Sequence, residues 1–428
     1  MPPSFNLTGS DDHTTRGDGT TSGRVAFTYP DFLRYQIARF CIVTSLEMLS
    51  VAVGWQVYDI THRALDLGLV GLAQFLPGFF LFLPSGHAAD HFDRRKLLIV
   101  CYSGFVLCSA LLLGVSSSLR ATTVYPIYIV LVLLGIVRAF NGPVSRSLLP
   151  QLVPEEHFPN AVAWNSSIFQ SATILGPAVG GLVYAFFRSA SPVYATSLMV
   201  SLAAVFSTLR IRLRSRPAQR EEINWTTVLA GLHYIWRQKI ILGSISLDMF
   251  AVLLGGSVAL LPVYAREILH TGPWGLGLLR SAPGAGAAAM AILLAHRPLR
   301  RHVGATMLWC VAGFGVFTII FALSRSIALS MIALLFVGAT DMVSVVIRGT
   351  LVQLGTPNHM RGRVNAVDML FIGVSNEFGE FESGLTAHWF GVVPAVVLGG
   401  IGTLVVIAIW AGIFPELRKA QEITSVRG

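Results

Sequence analysis

The chain has 428 residues, of which 54% are hydrophobic and only 12% are charged, and its formal net charge is +9. Soluble domains carry roughly 25% charged residues, so this composition excludes a disordered chain, a coiled coil, a secreted disulfide scaffold and almost any cytosolic enzyme. The excess of Lys and Arg fits the cytoplasmic loops of a membrane protein. No basic stretch is interleaved with aromatic residues as a nucleic-acid-binding surface requires. We therefore predict an integral membrane protein that spans a lipid bilayer and does not bind nucleic acid.

The chain begins with a polar segment, residues 1–30, which is rich in Ser, Thr, Gly and Asp and predicts a disordered cytoplasmic tail. Twelve apolar runs follow, and most of them exceed the roughly 18 residues that a membrane-spanning helix needs. The runs lie at about 37–58, 67–89, 97–119, 121–149, 161–187, 192–209, 240–265, 274–295, 303–324, 327–352, 364–389 and 393–414. They predict an all-α membrane protein with 12 transmembrane helices, arranged as one six-helix bundle over 31–209 and another over 240–414.

A polar linker at 210–239 separates the two bundles, and a second cytoplasmic tail covers 415–428. Within the linker, Trp225–Trp236 has amphipathic character and predicts a helix that lies along the inner membrane surface. With both termini inside, the cytoplasmic loops hold fifteen Lys and Arg residues and the outer loops hold five. Because basic residues accumulate on the cytoplasmic side, we predict that both termini are cytoplasmic.

The two halves repeat each other in the same order along the chain. Leu46-Glu47-Met48 matches Leu247-Asp248-Met249, and Asn160-Ala161-Val162 matches Asn365-Ala366-Val367. Each match is weak alone, but their common order indicates a duplication. A parallel repeat of two six-helix halves is the architecture of major facilitator transporters.

The loop after the second predicted helix, Gly86–Lys96, contains a glycine and an aspartate followed by a basic cluster. It resembles the cytoplasmic loop signature of the major facilitator superfamily, although His91 and Asp93 depart from the usual pattern. The resemblance implies a gating loop in which an ion-pair latch between helix ends favours one of two alternating states. Its residues are Gly86, Asp90, Arg94 and Arg95. The alternative is that the basic residues only anchor the topology.

The same loop offers a remote alternative of another class. His87 and His91 are spaced i, i+4 with Asp90 between them, and on a helix this spacing could form the metal site of a membrane metalloenzyme. No further His or Cys cluster supplies ligands. We therefore predict that the protein is not an enzyme and holds no metal or other cofactor.

The fifth predicted helix contains Gly176-Pro177-Ala178-Val179-Gly180-Gly181. This segment resembles the motif of antiporters and exporters in the superfamily, with Ala172 in place of an earlier glycine. Proline bends the helix and glycines allow close packing. Helix packing alone is the alternative interpretation of Gly176, Pro177, Gly180 and Gly181.

Segments of the second half narrow the resemblance to one branch. Leu276–Pro283, Arg361–Ala366, Gly379–Phe381 and Val393–Gly400 resemble the branch that includes the enterobactin exporter and macrolide efflux proteins. The resemblance covers about 34–414 and implies transport driven by a proton gradient. No Gly-rich Walker loop is present, so nothing in the sequence indicates ATP as the energy source.

Ionisable groups at bilayer depth cost at least about 2.5–3.5 kcal/mol each, so each calls for a reason. The candidates for proton coupling or cargo binding are Glu47, Arg138, Asp248, Arg280, Asp341, Glu377 and Glu380. Arg138 and Asp341 occupy equivalent places in the two repeats with opposite charge, and so are candidates for a pair across the cavity. Glu47 and Asp248 lie roughly 12–14 Å from basic residues at the inner edge and are the first candidates for the proton-coupling acid. The alternative for each acid is a structural ion pair.

The sequence therefore predicts a secondary active transporter that exports a small siderophore-like or drug-like molecule by proton antiport. Its predicted setting is the plasma membrane of a bacterium, where it acts as a monomer. An uptake permease or uniporter of the same fold is the alternative. The sequence does not identify the cargo.

Overall fold

The structure is a computed structural model, and it describes residues 24–117, 123–212, 225–297, 302–357 and 360–419. The side chains of Asp90 and of residues 225–228 lie outside this description, as do residues 1–23 of the predicted tail, 213–224 of the predicted linker and 420–428 of the second predicted tail. In the first half the helices are α1 (Pro30–Thr61), α2 (Ala64–Phe80 and Phe82–His91), α3 (Arg94–Ser117), α4 (Tyr125–Leu148), α5 (Phe158–Phe187) and α6 (Ser191–Leu209).

The second half follows a linker helix, Trp225–Arg237. Its helices are α7 (Lys239–Gly255, continued by the turns Val258–Leu260, Leu261–Val263 and Tyr264–Ile268), α8 (Gly272–His296), α9 (Val303–Leu323), α10 (Ile327–Gly355), α11 (Arg361–Gly373, the π-helical turn Val374–Phe378 and Gly379–Phe390) and α12 (Val392–Ile413). We call the end of the bundle that carries the linker helix the linker end, and the opposite end the far end. The positive-inside pattern predicts that the linker end is cytoplasmic.

Ten helices among the described residues are long and apolar enough to cross a membrane, or eleven if the bent α2 counts as one span. Helix α11 is not among them, because it carries acidic residues along its length. These are Asp368, Glu377, Glu380 and Glu382. The predicted all-α membrane class is confirmed, whereas the count of twelve spans and the placement of the termini stay predictions.

Three helices are interrupted, and the interruptions of α7 and α11 border the functional site described below. Helix α2 bends by 56° after Phe80, because Pro84 lacks an N–H and its ring clashes with the carbonyl four residues earlier. Helix α7 opens at Gly256, whose carbonyl accepts a hydrogen bond from Ser383 Oγ of α11 at 2.6 Å. The π-helical turn of α11 contains Glu377, and such turns are frequent at functional sites.

The helices of each half pack mainly with one another, and the halves meet along two helix pairs. Helix α1 packs against α5 and α6, and α10 packs against α8 and α9. Between the halves, α5 packs against α8 and α2 packs against α11. A Cβ at Gly181 would lie only 2.8 Å from Gly277 Cα, so the α5–α8 contact requires residues without side chains. The remaining space lies between the halves.

Candidate functional site: a charged cavity between the halves

A cavity of about 480 Å³ lies between the two halves. Its walls carry many aliphatic side chains, and its polar side chains come from both halves. They include Glu47, Ser50, Gln74, Arg138, Arg280, Asp341, Asn376, Glu377 and Glu380. Every residue that the sequence predicts for cargo binding or proton coupling, except Asp248, therefore lines one cavity. Five of them, Glu47, Arg138, Arg280, Glu377 and Glu380, are called the cavity cluster below.

The first arginine of the cavity cluster is paired. Arg138 Nη2 lies 3.6 Å from Glu377 Oε1, and Arg138 Nη1 donates a hydrogen bond to Gln74 Oε1 at 2.9 Å. The carboxylate that pairs with Arg138 is thus Glu377 and not Asp341, the candidate that the repeat suggested. The reason is that α2 packs against both α4 and α11, which brings Arg138 and Glu377 together.

The second arginine of the cavity cluster is not paired with an acid. Arg280 donates to the hydroxyl of Ser50 on α1, and its buried Nε has no hydrogen-bond partner. Among the described residues, Glu47 and Glu380 also form no ion pair, although both interact electrostatically with Arg280 and Arg138. Within the described part of the chain, one cation and two carboxyl groups therefore face the cavity without an ion-pair partner.

Glycines set the positions of the two unpaired acids. A Cβ at Gly176 would lie 2.5 Å from Glu47 Cβ, and one at Gly71 would lie 2.8 Å from Glu380 Cβ. A Cβ at Gly180 would likewise lie 3.0 Å from Met48 Cα. The antiporter-like motif in α5 thus lies directly behind Glu47.

Asp248 lies in a separate, buried group within the second half. Arg348 Nε is 3.4 Å from Asp248 Oδ2, and Arg348 Nη1 is 2.5 Å from Asp368 Oδ1. Ser344 Oγ also donates to Asp248 Oδ1 at 3.0 Å. All three charged side chains of this triad are less than 10% exposed as residues. We call Asp248, Arg348 and Asp368 the C-half triad.

Asp341 lies between the two charged groups. It lines the large cavity and also a small cavity of about 10 Å³, which it shares with Asp248, Thr340 and Ser344. This volume is close to the minimum that one water molecule requires. Asp341 therefore connects the cavity cluster with the C-half triad.

The predicted gating loop lies at the linker end of the first half. Arg94 Nη1 donates to the Ser147 carbonyl at 3.0 Å, and Arg95 Nη2 donates to the Leu209 carbonyl at 2.6 Å. These bonds join the start of α3 to the ends of α4 and α6. The side chain of Asp90 lies outside the described residues, so the predicted latch stays a prediction.

Contacts between α1 and the end of α7 join the two halves at the far end. The Tyr58 hydroxyl donates to Glu267, Arg266 forms an ion pair with Asp59, and the Arg266 guanidinium lies 5.8 Å from the centre of the Trp55 ring. We call these five residues the far-end clasp. It joins the two halves across the end opposite the linker helix.

The two histidines of the remote metal alternative stack with ring centres 3.9 Å apart. His91 Nδ1 lies 3.0 Å from the His87 carbonyl oxygen. Within the part of the chain that the structure describes, no group of three or more His, Cys, Asp or Glu residues is placed to hold a metal ion.

Sequence reasoning missed Arg348, which holds the C-half triad together. Arg348 lies seven residues after Asp341 on α10, so both residues lie on one helix face. This spacing is the sequence signal that points to Arg348. Ser50 and Gln74 were missed as well. They are ordinary polar residues, and only the packing of the two halves brings them to the arginines.

An all-helical membrane protein with a charged cavity between two packed halves has the architecture that is typical of membrane transporters. Residues 32–427 match the family described as transmembrane secretion effector, and the chain belongs to this family of the major facilitator superfamily. It is 26% identical over 412 residues to the enterobactin exporter EntS of Shigella boydii serotype 4, covering 92% of this chain and 94% of that protein.

Solved structures share the same fold at low sequence identity. A POT family transporter in complex with a thioalcohol-conjugated peptide has a TM-score of 0.72 and 11% identity, covering 91% of this chain and 96% of that one. A bacterial homologue of the human lysosomal transporter Spinster, in an inward-facing and occupied conformation, has a TM-score of 0.69 and 12% identity, covering 91% and 98%. The family match and the relatives make the protein a multi-pass transporter of small molecules and not an enzyme.

Proposed function

We propose that this transporter exports a small organic molecule across a bacterial inner membrane in exchange for protons. The observation that carries the proposal is the cavity cluster, in which both halves contribute ionisable side chains to one cavity at bilayer depth. Ionisable groups at this depth mark substrate pathways and proton relays. The proposed setting is a monomer with twelve spans, both termini in the cytoplasm, and the halves and tails bounded as the sequence predicts.

Glu47 is our first choice for the proton-coupling acid. It faces the cavity without an ion-pair partner, so the gain or loss of a proton there changes the charge that the cargo meets. Asp248, the other candidate, is held by Arg348 and Ser344, and we assign it to the framework of the second half. Glu377 and Glu380 are the next candidates after Glu47.

The direction of transport rests on two supports. Relatives that match nearly the whole chain are enterobactin exporters, and the far-end clasp joins the two halves on the side that the charge bias assigns to the exterior. We propose that the cavity is closed on that side and accepts cargo from the cytoplasm. Uptake by the same fold is the alternative. The direction in which cargo moves under an imposed pH gradient distinguishes export from uptake.

The test uses proteoliposomes that contain the full-length protein and a library of candidate small molecules, with and without an imposed pH gradient. An acidic exterior should drive cargo outward in the parent protein. Glu47→Gln should abolish this response and preserve cargo exchange at equal pH on both sides. Glu382→Gln is the matched control, because Glu382 bonds to Thr386 and does not line the cavity.

Two outcomes contradict parts of the proposal. If Glu47→Gln follows the gradient as the parent does, the coupling site lies elsewhere, and Glu377→Gln and Glu380→Gln are measured next. If the gradient drives cargo inward, the protein is an uptake permease. A gradient that moves no member of the library in either direction contradicts proton-coupled transport of these molecules.

A further inference from the structure

The charges of the cavity divide into a satisfied pair and an unsatisfied group. Arg138 is bonded to both Glu377 and Gln74. Among the residues that the structure describes, Arg280 bonds to the Ser50 hydroxyl alone, and its buried Nε has no hydrogen-bond partner. Arg280 and Gln74 are equivalent positions in the repeats, since both lie three residues before the aligned prolines Pro77 and Pro283. The second half thus presents a cation where the first half presents a neutral amide.

The unsatisfied group surrounds one part of the cavity from both halves. Ser50, which accepts from Arg280, lies one turn after Glu47 on α1, so the guanidinium lies close to the turn that carries this acid. Glu380 faces from α11, where it packs over Gly71 of α2. Glu380 interacts electrostatically with both Arg280 and Glu47.

Unpaired charges at membrane depth are costly, and opposite charges within reach normally form a pair. Here the helix packing holds Arg280 apart from both acids while all three face the cavity. A ligand that carries charges of both signs would satisfy the three groups together. A purely cationic ligand would leave Arg280 unsatisfied, and a purely anionic one would leave the acids unsatisfied.

The direction of coupling constrains which end of the ligand meets the acids. In antiport, the binding of a proton must weaken the binding of the cargo. Because binding effects between two ligands are reciprocal, the cargo then weakens the binding of the proton to the same extent. A positive group on Glu47 and Glu380 competes with protons, as antiport requires. An anionic group alone would favour protonation of these acids and would carry cargo and proton together.

We propose that the cargo is dipolar, with an anionic or hydrogen-bond-accepting group bound by Arg280 and a cationic or hydrogen-bond-donating group bound by Glu47 and Glu380. This inference rests on the proposed proton antiport for the direction of coupling, but the charge arrangement itself is independent of it. Arg280 is then the residue that selects cargo with an acceptor group.

The test measures equilibrium binding to the purified full-length protein by calorimetry, with three probes that share one aromatic body. Phenylalanine carries both charges, its methyl ester carries only the positive one, and N-acetylphenylalanine carries only the negative one. The parent protein should bind phenylalanine most tightly. Arg280→Gln should weaken phenylalanine binding about tenfold, which corresponds to about 1.4 kcal/mol, and leave the ester within about twofold.

Two further variants separate a binding role from a structural one. Ser50→Ala removes the present partner of Arg280 and keeps its charge, so phenylalanine should bind at least as tightly as to the parent. Arg280→Lys should retain part of the preference for phenylalanine over the ester. A merely structural role of Arg280 predicts equal losses for all three probes.

The inference is overturned if the ester binds the parent as tightly as phenylalanine, if Arg280→Gln weakens all three probes equally, or if no probe binds. These measurements use no pH gradient. Failure of gradient-driven transport would therefore contradict the proposed function and leave the binding order as a separate result.

Discussion

The cavity cluster and the C-half triad have similar composition but opposite environments. Each has one carboxyl group more than it has arginines. In the triad, the single Arg348 bridges both acids, and the residues are less than 10% exposed. In the cavity cluster, the Arg138 side chain is 47% exposed and its partner Glu377 is 27% exposed, while Arg280, Glu47 and Glu380 form no ion pair with any residue that the structure describes. The contrast teaches that charges of similar composition and depth can be either satisfied within the protein or left facing a cavity, and that helix packing decides between the two.

The largest expected effect comes from breaking the triad. Arg348→Met leaves two buried carboxylates without their cation, and breaking a buried pair costs about 3–5 kcal/mol. We expect a lower thermal unfolding temperature and a lower yield of purified protein in detergent. Arg280→Met is the matched control, because it removes an arginine that has no ion pair, and its unfolding temperature should stay near that of the parent.

Replacement of all three residues of the C-half triad tests whether their charges act together. Asp248→Asn, Arg348→Met and Asp368→Asn together remove all three charges, and replacement of a whole buried ionic group is often neutral. The triple variant should recover most of the stability that Arg348→Met loses. If it is less stable than the single variant, the triad does not act as one group of charges.

The next effect tests how the packing places Glu47. Gly176→Ala puts a Cβ about 2.5 Å from Glu47 Cβ, and such overpacking costs about 1–3 kcal/mol. We expect loss of gradient-driven transport together with a lower unfolding temperature. Gly142→Ala is the control, since a Cβ there meets nothing within 4 Å. Equal behaviour of the two variants would show that the α1–α5 contact tolerates a methyl group.

A smaller effect should separate the two possible partners of Arg138. The Arg138–Glu377 pair is partly exposed, and pairs of this kind contribute about 0.2–1 kcal/mol. Double-mutant cycles on the unfolding free energy should show coupling between Arg138→Gln and Glu377→Gln, and additivity between Arg138→Gln and Asp341→Asn. Coupling of Arg138 with Asp341 instead would favour the pair that the repeat suggested.

The smallest energetic effect concerns the far-end clasp, where Arg266 and Asp59 are 32% and 51% exposed. Asp59→Asn removes an ion pair worth about 0.2–1 kcal/mol, which shifts a two-state equilibrium by up to about fivefold. The reporter is Ser50→Cys in a background without the four native cysteines. We expect this cysteine to react faster with an impermeant thiol reagent added from the far side when Asp59→Asn is present than when Asp59 is intact. No change in that rate would mean that the clasp does not hold this end closed.

The sequence alone determined the class of the protein. Apolar runs of spanning length predict helices whatever their neighbours, because a backbone in lipid must satisfy its own hydrogen bonds. The repeat and the loop motifs then indicated the family, and the depth of Glu47, Arg280, Glu377 and Glu380 singled them out before their surroundings were known. These conclusions depend on local patterns along one chain.

Only the tertiary structure decided which charges meet. The pairing of Arg138 with Glu377 depends on the packing of α2 between α4 and α11, and Asp248 forms its ion pair with Arg348, 100 residues away along the chain. Helix packing brings such residues within a few ångströms, and no local pattern encodes that distance. The sequence could therefore name the ionisable residues, while the arrangement of the helices decided which of them pair with each other and which face the cavity.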